Sequence, residues 1–152
     1  MQDSLEFSNR ESPDFILIKE AVLIFQHHMS TKESFDHASQ PEKEYIFTLV
    51  SKVIQHIGTP DLEWFCAMES LVNTLFGLKS KNAHEYGRLL IQNCHDALIK
   101  CCYPNENHYS QIFFVVGHVA IKMLAFVDML EQDLKKAINS KKGASDADED
   151  LA

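Results

Sequence analysis

Residues 112–130, IFFVVGHVAIKMLAFVDML, form a nearly unbroken apolar run of nineteen residues that leads directly into the charged stretch EQDLKKAINS. A run of this length approaches a membrane span, which takes about 20 apolar residues. His118, Lys122 and Asp128 interrupt it. An ionisable group at bilayer depth is costly on every scale, so polarity argues against a span and for a mostly buried helix of a globular domain. At about 100° per residue, Gln111, His118, Lys122, Gln132 and Lys136 share one narrow stripe, and Phe114, Val116, Ile121, Leu124 and Val127 occupy the wide remainder. The pattern predicts a helix with neighbours around most of its circumference and its polar stripe in water. Gly117, at mid-helix, costs about 1 kcal/mol relative to alanine. Its expected use is to let another helix approach the backbone closely.

The rest of the chain supplies partners for such a helix. A chain of 152 residues can bury about 68–70% of the surface its unfolded form exposes, enough for one core. Ser12-Pro13 reads as an N-cap followed by proline at the first helical position. Ile18, Val22, Phe25 and Met29 then recur at helical spacing, predicting a helix over about 13–29. Residues 30–40 are polar and read as a loop. Pro41 opens a second helix in which Ile46, Val50, Val53 and Ile57 repeat the spacing until Gly58 stops it. Thr59-Pro60-Asp61 is a third start signal, with Asp61 and Glu63 placed where a helix dipole favours anions. This helix is expected to reach about Leu78 and to bury Leu62, Phe65, Met68, Val72 and Leu75. Only Gly58 and Thr59 separate it from its predecessor, so the two must pack as an antiparallel hairpin. Asn82 can cap a fourth helix, with Tyr86, Leu90, Cys94, Ala97 and Cys101 along one face. Tyr103-Pro104-Asn105 breaks it, and the long helix is expected over about 108–140.

The expected fold class is therefore all-α, with antiparallel helical hairpins and about five helices in residues 12–142. Residues 1–11 are polar, without the apolar stretch of a secretory signal, and are expected to be a flexible N-terminus of an intracellular chain. Residues 143–152, GASDADEDLA, have almost nothing to bury and are expected to form an acidic disordered tail or linker. Ser145, followed by Asp146, Asp148 and Asp150, is a candidate phosphorylation site there. Hairpins stacked in sequence build α-solenoids, whose HEAT units take about 40–47 residues. Periodicity alone leaves a closed helical bundle equally open.

Chemical signatures are sparse. The net charge is −8, and the only cluster of cations is Lys135, Lys136, Lys141 and Lys142. Nucleic-acid binding draws its affinity from clustered cations, so the four lysines read more simply as a helix C-terminus complementing its dipole. Of the four cysteines, Cys94 and Cys101 are seven apart, and His108 lies beyond, so a zinc site can be drawn. No CxxC pair supports it, and free cysteine on an apolar face is usually a small core residue. His84-Glu85 opens a zinc-protease pattern, but Arg88 stands where the second histidine is required. The five glycines are each at least ten residues apart, so neither a P-loop nor a dinucleotide fingerprint exists. His27-His28 reads as an exposed helix end, and Trp64, the single tryptophan, as a core or inter-helix anchor. No catalytic, cofactor-binding or metal-ligating residue is expected.

Several segments resemble condensin subunit 1, the HEAT-repeat non-SMC subunit of condensin. The most specific is Gly117-His118-Val119-Ala120-Ile121-Lys122-Met123-Leu124, followed by Val127-Asp128 and by residues 131–136. Thr59-Pro60-Asp61-Leu62-Glu63-Trp64, then Asn73-Thr74-Leu75-Phe76-Gly77-Leu78, then Ile91-Gln92-Asn93-Cys94 are similar to family segments in the same order. Together they cover about residues 41–142, an internal block, since the family's subunits are many times longer. The connection 103–108 is shorter than the charged insertion expected there. The resemblance implies a HEAT-like solenoid fragment acting as a non-catalytic scaffold in mitotic chromosome condensation. It implies kleisin and SMC ATPase subunits as partners and a place in the nucleus and on chromosomes. DNA would be reached only through the complex, and neither a membrane nor a small-molecule substrate is implied. The alternative from another class is a free-standing helical-bundle adaptor or small-ligand binder.

Overall fold

The structure, a computed structural model, describes the backbone of residues 12–149 and the side chains of residues 12–142. The flexible N-terminus expected at residues 1–11 and the side chain of Ser145 lie outside the described residues. Five helices make up the fold: α1 (Phe15–Ser30), α2 (Gln40–Ile54), α3 (Leu62–Phe76), α4 (Ala83–Ile99) and α5 (Glu106–Glu149). The described residues contain no strand, so the chain is all-α.

Four of the five helices begin where a side chain accepts a free N–H group, whereas Asn82 at the start of α4 makes no such bond. Asp14, not Ser12, caps α1, its carboxylate accepting the Leu17 N–H at 3.0 Å. The Ser39 N–H donates to Glu42 Oε2 at 2.6 Å at the start of α2. Asp61 caps α3 by accepting the Glu63 N–H at 2.9 Å. At the start of α5, Asn105 Oδ1 accepts the His108 N–H at 3.1 Å. Leu62, expected in the core, is 82% exposed: it is the first residue of α3, and its apolar turn begins only at Trp64. Helix α5 does not end near Ser140. Its backbone continues to Glu149, through part of the segment expected as an irregular tail, because one glycine costs only about 1 kcal/mol and no proline follows to break it.

The helices stack in two layers. Lys19 lies near Glu63 and Gln26 donates to the Ser70 carbonyl, so α1 and α3 run parallel. Trp64 meets Phe114 and His118 lies near Glu69, which sets α5 parallel to α3 on its other side. In the second layer α2 and α4 also run parallel, with Phe47 against Tyr86. The Trp64 Nε1–H donates to the Val53 carbonyl at 2.8 Å, placing the end of α2 at the start of α3. The hairpin expected for α2 and α3 is therefore formed. Every helix touches its sequence neighbour across the layers and the next-but-one within its layer, whereas α1 and α5 share no extensive contact. That open pattern is the construction of an α-solenoid, not of a closed bundle. Helix α3 is the centre, with nine buried residues including Trp64, Met68, Leu71 and Leu75.

Two connections carry more structure than their polarity suggests. Residues 30–40 contain a 3₁₀ turn (Phe35–His37) whose Phe35 is buried edge-on against Phe25, Phe47 and Tyr86. Asp36 beside it accepts from the Lys81 N–H, from Tyr86 Oη at 2.7 Å and from Asn82 Nδ2 at 3.0 Å. Burial pushes the Asp36 carboxyl up, but the hydrogen bonds from Tyr86, Lys81 and Asn82 outweigh it and hold its pKa below the usual range. Glu42 ties α2 to the connection after α1 by accepting Lys32 Nζ at 2.9 Å, and that bond with the Ser39 N–H lowers its pKa to about 2. At the other end, Gly58 has φ +100° and the His108 ring occupies the place a Cβ would take.

Gly58→Ala should therefore destabilise the fold by at least about 1 kcal/mol in urea denaturation. Adding His108→Ala should recover only the steric part, since the backbone strain remains. Asp36→Asn should cost about 2 kcal/mol at neutral pH, the worth of a charged acceptor. A depressed carboxyl pKa stabilises the fold above the unfolded value and loses that contribution as pH falls through the folded one. Wild-type stability should thus drop below about pH 4, and the drop should be shallower in Asp36→Asn when urea midpoints are compared from pH 6 to pH 2.5.

Candidate functional site

Helix α5 lies the opposite way round from its sequence expectation. Gln111, first on the polar stripe, is only 1% exposed. Its Oε1 accepts the Gly58 N–H at 2.6 Å, and its Nε2 donates to the Thr59 carbonyl at 2.8 Å. The α2–α3 turn is part-buried, and one side-chain amide pairs the Gly58 N–H and gives the Thr59 carbonyl a second donor beside the Asp61 N–H. His118 and Lys122, from the same stripe, are half-buried, and His118 stacks on Phe114 with ring centroids 4.3 Å apart. Of the apolar residues, only Val115 and Val119 are fully enclosed, with Ile112, Phe114, Met123 and Phe126 partly so.

The consequence is a bare apolar face. Phe113 is 71% exposed, Ile121 64% and Leu124 67%. Tyr109, Val116, Val127, Leu130, Leu134 and Ile138 are exposed as well. A Cβ at Gly117 would meet nothing within 4 Å, so no described helix uses that notch. The close approach expected there occurs instead at Gly87 of α4, where a Cβ would stand 3.2 Å from Val119. The cause is stacking order: α3 has helices on both sides in its own layer and two in the other, whereas α5 has only α3 and α4. Helix α1, at the opposite end, bares Ile16, Leu17 and Ile24. Monomers rarely expose contiguous apolar patches beyond a few hundred Å² without a use for them.

Two cavities flank this frame. One, of about 480 Å³, lies between the 3₁₀ turn, the end of α3 and the middle of α5, with Met29, Phe76, Phe126 and Met129 in its lining and Lys122 at its wall. The second, of about 780 Å³, is polar and gathers His56, Asp96, Cys101 and His108 where α2 and α4 end and α5 begins. Among the described residues no group of three histidine, cysteine or carboxylate side chains is arranged to hold a metal. Cys94, the first ligand of the zinc site drawn from sequence, is enclosed in the core, where burial pushes its thiol up to about 12. A thiol held neutral in this way is a packing group. Trp64 is fully buried as a packing anchor, and His27 and His28 are exposed in the last turn of α1.

Sequence reasoning missed the apolar faces because it counted apolar residues on α5 without knowing how many neighbours the stack provides. Comparison with protein-family models, curated proteins and solved structures finds no match to this chain.

Alkylation at pH 8 should modify the exposed Cys66 and Cys102 quickly and leave Cys94 unmodified until denaturant is added. Peptide mapping of the adducts reads this out; early labelling of Cys94 would contradict the packed core.

Proposed function

We propose that this chain is a non-catalytic helical scaffold of the condensin subunit 1 kind, acting in mitotic chromosome condensation through protein–protein contacts. Its partners are the kleisin and SMC ATPase subunits, the ATP hydrolysis belongs to the SMC subunits, and DNA is reached through the complex. The reading places the protein in the nucleus and on chromosomes.

The observation that carries the proposal is the open two-layer stack with bare apolar faces on both end helices. An array in which each helix touches only near neighbours leaves its ends unsatisfied, and those ends are covered by further protein or by a cap. Of the segments that resemble the family, one lies at a structural joint and another on the half-bare helix. Thr59 to Trp64 form the turn that Gln111 clamps and the start of the central helix. Gly117 to Leu124 cover both the packed and the bare side of α5. A scaffold works by offering such faces in fixed relative positions.

The small-ligand alternative has one observation in its favour, the apolar cavity with Lys122 at its wall, whose volume is typical of ligand sites.

The test is to tag the endogenous gene, recover the product from dividing cells, and identify its companions by mass spectrometry. The expected companions are two SMC ATPases and a kleisin. Leu17→Glu with Ile24→Glu, both at exposed positions of α1, should reduce their recovery about tenfold while leaving the helical content unchanged. Recovery of the protein alone, or with unrelated companions, would overturn the condensin reading.

A further inference from the structure

The bare stripe of α5 runs from Tyr109 to Ile138, about 44 Å at 1.5 Å per residue. Tyr109, Phe113, Ala120, Val127, Leu134 and Ile138 all fall within about 40° of one line along the helix. Their spacing is self-complementary: reversing the helix about a point between Met123 and Leu124 brings Tyr109 onto Ile138, Phe113 onto Leu134 and Ala120 onto Val127. We infer that α5 pairs antiparallel with α5 of a second copy of this chain, along this stripe.

Three further observations agree on that occupant. Tyr109, Phe113, Val127, Leu134 and Ile138 are exposed along the whole stripe and present on the order of 500 Å², which suits the small end of protein interfaces and a concentration-dependent pair. A two-fold contact requires a patch complementary to itself, which the spacing supplies. The direction follows from Glu131, the one acidic residue in the line of the stripe. In a parallel pair the two Glu131 carboxylates would face each other. In the antiparallel pair each lies at the level of Val116 of the partner helix, beside the open notch at Gly117, and the two carboxylates are about 20 Å apart, beyond a Debye length at physiological salt. Antiparallel packing across a helix is also what α4 already does on the other side of α5.

A lipid bilayer is a poorer occupant, although α5 is long and apolar enough to cross one by length and composition. Glu69 and Arg88 are exposed on the helices packed beside it, next to His118 and Gly87. A span would carry both charges to bilayer depth, at several kcal/mol.

The inference rests on the α5 face and not on the condensin reading, so the purified full-length chain tests it alone. Sedimentation equilibrium from about 1 to about 100 µM should give a species of twice the 17.4 kDa chain mass. Leu124→Glu with Val127→Lys, both exposed positions, should raise the dissociation constant at least ~100-fold with unchanged circular dichroism. Ile24→Glu on α1 should leave it unchanged. Mixing Phe113→Cys and Leu134→Cys proteins under mild oxidation should give the mixed disulfide by peptide mapping. A monomer at the highest concentration, or a dimer dissolved by Ile24→Glu but not by the α5 pair, would overturn the proposal. So would a Phe113→Cys homodimer disulfide in preference to the mixed one. Flotation of a monomeric chain with phosphatidylcholine vesicles, abolished by the α5 pair, would assign the face to lipid instead.

Discussion

The two hydrogen bonds between Gln111 and the turn at Gly58 and Thr59 set the rotation of α5, and the character of the whole surface follows from that angle. Leaving the part-buried Gly58 N–H without a partner would cost about 1–3 kcal/mol, while the Thr59 carbonyl would keep the Asp61 N–H. A primary amide accepts from the N–H through its oxygen and donates to the carbonyl through its nitrogen, in one planar group. With Gln111 facing inward, the residues one, two and three turns further on, Val115, His118, Val119 and Lys122, must face the body too. Phe113, Leu124 and Val127 are then carried outward. Gly58 completes the joint, because its positive φ shapes the turn and its missing side chain leaves room for the His108 ring. The polar end of one helix thereby determines where the molecule's apolar surface lies.

The opposite edge of the layers, at the starts of α2 and α4, is held by a different device with the same logic. Asp36 gathers an N–H, an amide and a phenol from the α3–α4 connection and the start of α4 onto the 3₁₀ turn that precedes α2. Phe35 beside it fills the space between α1, α2 and α4. Between these two joints α3 is packed on nearly every side, its Trp64 N–H reaching the Val53 carbonyl. The centre is therefore a dry helix and the ends are polar clamps. Such a frame keeps the faces of α1 and α5 at fixed positions, which a surface used for assembly requires.

Much of this was legible in the chain. The 4-3-4 spacings of Ile18, Val22, Phe25 and Met29, and of Ile46, Val50 and Val53, place α1 and α2, and Asp61 and Asn82 mark the starts of α3 and α4 within a residue. Tyr86, Leu90 and Cys94 line the buried side of α4 as spaced. Phe35 was not legible as a core residue, since one aromatic in a polar loop has no periodicity to reveal it. Leu62 read as buried because its type, not its position before the first buried turn, was counted. Neither bare face could be foreseen from the residues that form it.

What the amino-acid sequence determines by itself is local: helical class, the approximate limits of five helices, their caps, and the absence of recognisable nucleotide-binding or zinc-protease motifs. Those properties depend on propensity and on contacts within a few residues, and tertiary structure rarely overrides them in long periodic segments. What only the tertiary structure decides is the order of stacking and the rotation of each helix about its axis. Rotation is chosen by part-buried hydrogen bonds across more than fifty residues of chain, such as Gln111 to Gly58. The same apolar helix could be enclosed or half-bare. The number of helices packed around it makes α3 the first and α5 the second.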